Sequence, residues 1–173
     1  AGESSWKNYK SLNQNSIGIE ITNPGHEYGY KNFTKKQITA LLKLSKFLIK
    51  KYKISPKNIL GHSDIAVLRK KDPGEKFPWK YLFKNRIGKW HTLNKQDLIK
   101  NRKLKISKIE EDNFFNNLFK VGYSKKYTKN ISKNKYLIEL AKTFQRRFRQ
   151  ELVNGKIDQE CLLISKSLIK VYN

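Results

Sequence analysis

Residues 15–30 read NSIGIEITNPGHEYGY, and within them Ile17, Ile19 and Ile21 alternate with Ser16, Gly18, Glu20 and Thr22. A period of two is the mark of a half-buried strand, here one whose polar face carries Glu20. Asn23-Pro24-Gly25 ends it. Further on, Thr34 followed three positions later by Gln37 has the form of a capping box. Ile38, Leu41, Leu42, Leu48, Ile49 and Tyr52 then keep helical spacing, which predicts a helix over about 35–52, stopped by Ile54-Ser55-Pro56.

The chain around this stretch has 173 residues, enough for one domain or for a medium one and a small one. An apolar share of 38% with 12% aromatics can build a core, which excludes wholesale disorder. No apolar run approaches the length of a membrane span, so none is expected. The single cysteine, Cys161, excludes an internal disulfide framework and a four-cysteine zinc site. The net charge of +24 has two readings. Most of the basic residues are Lys, and Asn and Ile are also abundant, as in a genome rich in A/T codons. An anion-attracting surface would give the same excess. The charge is spread along the chain, with no tail or block of the kind a nucleic-acid arm needs. The opening AGESS lacks a charged segment followed by an apolar one, so no secretory signal is read in it, and the chain contains no Met.

Residues 61–79, GHSDIAVLRKKDPGEKFPW, are the stretch richest in chemistry. Pro73-Gly74 and Pro78 exclude long regular elements, so 62–90 reads as loop with a short helix. His62 and Asp72 are both good zinc ligands, and a catalytic zinc takes three protein ligands plus water. A hydrogen-bonded His in a turn would leave the same trace. Asp64 could orient the imidazole or cap the loop. Glu20, a rare acid in an apolar strand, suits a general base. Lys70 beside a metal would suit an oxyanion, although composition cannot single out one Lys among so many. Residues 91–108 are polar and Lys-rich, a linker. Beyond it three helices are expected near 110–121, 133–149 and 158–172, separated by Gly122 and by Asn154-Gly155.

The two stretches 15–30 and 61–79 together resemble the zinc-dependent N-acetylmuramoyl-L-alanine amidases of type 2, in particular the branch that acts on muropeptides and anhydro-muropeptides. Ala1-Gly2 and Ser5-Trp6 are similar to the segment that follows a Trp-His pair in that family. LAKTFQRRFRQELVNGKIDQE (140–160) is similar to the three-helix peptidoglycan-binding module some members carry. The resemblance implies an α/β fold, a mixed sheet flanked by helices, followed by a small all-α three-helix domain. It divides the chain into the C-terminal portion of a catalytic domain (1–90), a linker (91–108) and a binding-module-like unit (109–173). By position, His62 and Asp72 match two zinc ligands, Glu20 the catalytic carboxylate and Lys70 the catalytic lysine. Arg69 stands where a substrate carboxylate could be met. Asp64-Ile65-Ala66-Val67-Leu68-Arg69-Lys70 departs from the family's Asp-Ile-Ala-Pro-Gly-Arg-Lys, with the His-to-Asp spacing kept.

The family's remaining ligand is a His on an early strand, and none of His26, His62 or His91 fits it. The third His ligand is therefore expected upstream of Ala1, on a part of the amidase domain that a longer or separate chain would supply. His26 is expected to line the cleft and His91 to lie at the surface. The implied cofactor is Zn(2+), and the implied partner is peptidoglycan or a muropeptide in the bacterial cell envelope or periplasm, with the cytoplasm as the alternative. The competing readings are a non-catalytic peptidoglycan-binding remnant and a nucleic-acid binder. The latter rests on Arg146-Arg147-Arg149 with Phe144 and Phe148. The i, i+4 spacing of the two rings puts them in a core instead, so no nucleic-acid partner is expected.

Overall fold

The computed structural model describes residues 2–125 and 130–172. Ala1, part of the opening likened to the amidases, lies outside them. The chain enters as a tight hairpin, β1 (Ser5–Trp6) antiparallel to β2 (Tyr9–Lys10), with Trp6 opposite Tyr9. The short α1 (Leu12–Asn15) follows. α2 (Lys35–Tyr52) starts at Thr34, whose side chain accepts from Gln37 N while the Gln37 side chain accepts from Thr34 N, the capping box expected there. A 3₁₀ turn (Pro56–Asn58) leads to α3 (His62–Ile65) and α4 (Trp79–Lys84). α5 (Lys95–Asn101), α6 (Lys108–Val121), α7 (Lys133–Phe148) and α8 (Gln159–Tyr172) complete the chain.

The last three helices fall where their spacing put them, and they hold the deepest core. α6 and α8 pack along their lengths, and Phe114, Leu118, Leu140, Phe144, Ile164 and Leu168 are completely shielded from water. Phe114 meets Phe144 edge to face at 4.9 Å, so the two-ring spacing on α7 is indeed a core face. Trp6 joins the same core. Its indole lies against Tyr123 and Tyr172, and Lys7 N donates to Gly122 O at 2.7 Å. Gly122 has φ +143, and a Cβ there would stand 2.6 Å from the Trp6 ring, so the turn after α6 requires glycine twice over.

The mixed sheet is not found. Among the described residues the only ladder is β1–β2, and residues 16–22 pair with nothing. The reason is that alternation specifies which face a strand would bury, while a ladder also needs a neighbour. Here Ile17 and Ile19 remain exposed, and only Ile21 reaches the core. α2 is similarly bare: Ile38 and Leu41 are buried, whereas Leu44, Phe47 and Tyr52 face water. Among the described residues no helix is long and apolar enough to cross a membrane.

Candidate active site

α3 presents His62 at its first turn. The imidazole Nδ1 lies 3.0 Å from Asp72 Oδ2, and Ser63 N donates to Asp72 O at 2.9 Å, so side chain and backbone both tie α3 to the Asp72 loop. Both side chains are well exposed, 40% for His62 and 59% for Asp72, and open to a ligand.

A second contact set holds that loop from the other side. Tyr30 Oη donates to Pro73 O at 2.6 Å and accepts from Lys76 N at 2.9 Å. Burial pushes the Tyr30 phenol up to about 12, so it stays a donor at any ordinary pH. Lys76 Nζ donates to Tyr30 O and lies over the Tyr30 ring. His26, stacked on Tyr30 at 4.4 Å, has its Nε2 3.0 Å from Glu75 Oε2. Burial works to raise the Glu75 carboxyl, but the His26 hydrogen bond, then a backbone hydrogen bond and the charges of His26 and Arg146, together hold it below the usual range. Gly74 has φ +80, and a Cβ there would come within 2.5 Å of Tyr30 Oη.

The other expected residues are less gathered. Glu20 is exposed on the unpaired 16–22 segment. Lys70 is half-buried, its N–H bonded to Ala66 O at 2.9 Å, and its ammonium makes no ion pair among the described residues. Arg69 turns to the N-terminal segment, donating from Nη2 to Glu3 O at 3.2 Å with its guanidinium against Gly2. His91, expected at the surface, is buried beside Trp90, with Nδ1 unpartnered among the described residues. Arg146, Arg147 and Arg149 are buried as well, so the run that read as a basic cluster is interior. Arg147 pairs with Asp64, a contact across 83 residues that no local pattern announces.

A tetrahedral zinc with bonds of about 2.0–2.1 Å sets neighbouring ligand atoms roughly 3.3 Å apart. The His62–Asp72 separation suits two such ligands. No group of three or more His, Cys, Asp or Glu among the described residues could hold a metal. His26 is engaged with Glu75 and His91 is interior, so neither completes the set.

Residues 1–75 match the N-acetylmuramoyl-L-alanine amidase family. The N-acetylmuramoyl-L-alanine amidase AmiD of Escherichia coli is 33% identical over 99% of this chain and 63% of its own. A solved complex of AmiD with anhydro-N-acetylmuramic acid-L-Ala-D-γ-Glu-L-Lys superposes with a TM-score of 0.81 over 98% of this chain and 66% of that one. The chain belongs to the N-acetylmuramoyl-L-alanine amidase family. AmpDH3 of Pseudomonas aeruginosa gives a TM-score of 0.80 at 32% identity, over 98% of this chain and 67% of that one. The 1,6-anhydro-N-acetylmuramyl-L-alanine amidase AmpD of Haemophilus influenzae is 36% identical, over 46% of this chain and 41% of its own. The likeness to AmiD thus runs through the C-terminal helices as well as through the family-matched 1–75, while this chain spans less than two thirds of AmiD's length.

Proposed function

We propose that this amidase-family chain carries part of the active site for zinc-dependent hydrolysis of the amide between N-acetylmuramic, or anhydro-muramic, acid and L-alanine. The observation that supports this best is the His62–Asp72 pair, exposed and fixed on one framework. His62 and Asp72 would hold the zinc, and a third ligand, a His, would come from polypeptide outside residues 1–173. That same polypeptide would supply the strands that pair with 16–22 and cover α2. When bound, the zinc supplies Lewis acidity to a water and to the amide carbonyl.

The chain's own residues do the rest. The Glu20 carboxylate takes the proton of the attacking water and returns it to the alanine nitrogen as the amide breaks. The Lys70 ammonium, free of any acidic partner among the described residues, compensates the charge that develops on the carbonyl oxygen. Arg69 keeps donors beyond the one given to Glu3 O and faces a stem-peptide carboxylate. Residues 109–173 act as a peptidoglycan-binding-like unit joined through 91–108 to the catalytic portion, 1–90. The reaction is assigned to the bacterial cell envelope or periplasm when the intact wall is the substrate, with the cytoplasm as the alternative when it is a soluble anhydro-muropeptide.

Zinc stoichiometry and muropeptide hydrolysis, measured on 1–173 alone and on a longer chain of the same protein, test this. In the longer chain Glu20→Ala and Lys70→Ala should each lower turnover by about 10²-fold or more with zinc retained, in line with the loss of an acid–base or oxyanion group. Residues 1–173 alone should bind zinc weakly and turn over slowly. Full activity of 1–173 alone would mean that a ligand has been misplaced, and loss of zinc in either variant would contradict the role given to that residue.

A further inference from the structure

Asp64 and Arg147 are 1% and 2% exposed, and they form an ion pair in the interior. Such a pair is weak evidence of stabilisation, because desolvating both charges offsets most of their attraction. Its geometry indicates another use. Asp64 Oδ2 accepts from Arg147 Nη1 and also from Gly61 N at 2.7 Å, while Oδ1 accepts from Tyr123 Oη at 2.8 Å. Arg147 Nη2 reaches past them to donate to Ile59 O at 3.0 Å, and the guanidinium lies 4.2 Å over the Trp79 ring. These contacts grip residues 59, 61 and 64, on both sides of His62. From there Ser63 N passes the constraint to Asp72 O.

We propose that Arg147, on α7 of the C-terminal helices, is a positioning residue for the candidate metal site, fixing His62 and Asp72 through Asp64. This rests on the reading of His62 and Asp72 as ligands. The C-terminal helices are then part of the active site's scaffold as well as a unit that binds cell wall. α3 has only four residues and a glycine N-cap without a side chain, so it cannot hold His62 by its own hydrogen bonds. Burial acts to lower the charge on Arg147, and Asp64 outweighs it, keeping the guanidinium above its ordinary range and the clamp charged at every working pH. Burial, then the Asp64 charge, pushes Tyr123 well above its ordinary value, so its hydroxyl stays a donor.

The test is amide hydrogen exchange on residues 1–173 by NMR, beside the zinc affinity of the longer chain, which carries the third ligand, by chelator competition with zinc alone. Arg147→Lys keeps the charge and loses the fork, and Tyr123→Phe removes one hydrogen bond without changing the packing volume. In Arg147→Lys the Gly61 and Ser63 amides should exchange at least about tenfold faster, with amides in α8 changing less, and zinc affinity should fall by about 10- to 100-fold. Tyr123→Phe should give the same local pattern, smaller, and it decides the matter if Arg147→Lys does not fold. Equal acceleration at Gly61, Ser63 and α8, or none at Gly61 and Ser63, would overturn the proposal, because Arg147 would then only support the fold. His62→Ala separates the two readings. If it leaves zinc affinity unchanged, the ligand reading fails while the exchange result still reports on the clamp.

Discussion

Gly61 shows how little room the site has. Its φ of −83° is open to any residue, so its glycine is required by space rather than by backbone conformation. A Cβ there would lie 2.9 Å from Pro73 Cδ and 3.2 Å from the Trp79 ring. Pro73 follows Asp72 directly, so any shift that relieves the clash moves a candidate ligand. Gly61→Ala should therefore cost about 1–3 kcal/mol, the usual result of overpacking, and weaken zinc binding as well. Thermal melting and a zinc titration check this, and an unchanged zinc affinity would show that the loop yields elsewhere. At this scale the sequence was informative where chemistry repeats a short spacing. His62 and Asp72, ten residues apart, do meet. It was uninformative where partners are distant: Arg147 sits in a run of arginines that reads as surface charge, and only the folded chain shows Asp64 opposite it.

Among the elements, helices were legible because their signals are local. The Thr34–Gln37 capping box and the spacing to Tyr52 give α2 its observed bounds, and Gly122 marks the end of α6. The 16–22 strand was not, because pairing is a property of two segments and the alternation describes one. What fixes this segment instead is the first turn of α2, where Gln37 Nε2 donates to Thr22 O at 2.7 Å. One side chain thus caps α2 and anchors the segment bearing Glu20. Thr34→Ala should cost about 1 kcal/mol, the usual loss of an N-cap, and leave residues 16–22 in place. Gln37→Ala should loosen them too, as faster backbone motion at Ile21 and Thr22 in ¹⁵N relaxation. Equal motion in the two variants would mean that the segment is held by the packing of Ile21 alone.

Over the whole molecule one apolar cluster runs from Trp6 to Tyr172, and residues 90–92 stitch its two parts together. Trp90 packs on Phe148 of α7, and Thr92 N donates to Ser167 Oγ of α8. Between them His91 is buried, and burial first, then the nearby Lys80 charge, lowers its pKa to about 4, against a small opposing pull from Glu151. Unfolded, the same imidazole titrates near 6.5. Between these values the unfolded chain takes up a proton that the folded one refuses, so stability is lost as pH falls from about 6.5 to about 4 and changes no further through this group below that. The loss is on the order of 3 kcal/mol at its full extent. Urea unfolding of residues 1–173 at a series of pH values should show this slope, and His91→Gln should flatten it even if the variant is less stable at pH 7. A variant that keeps the full slope would place the acid sensitivity in other groups, and His91 would then be a buried side chain without a part in it.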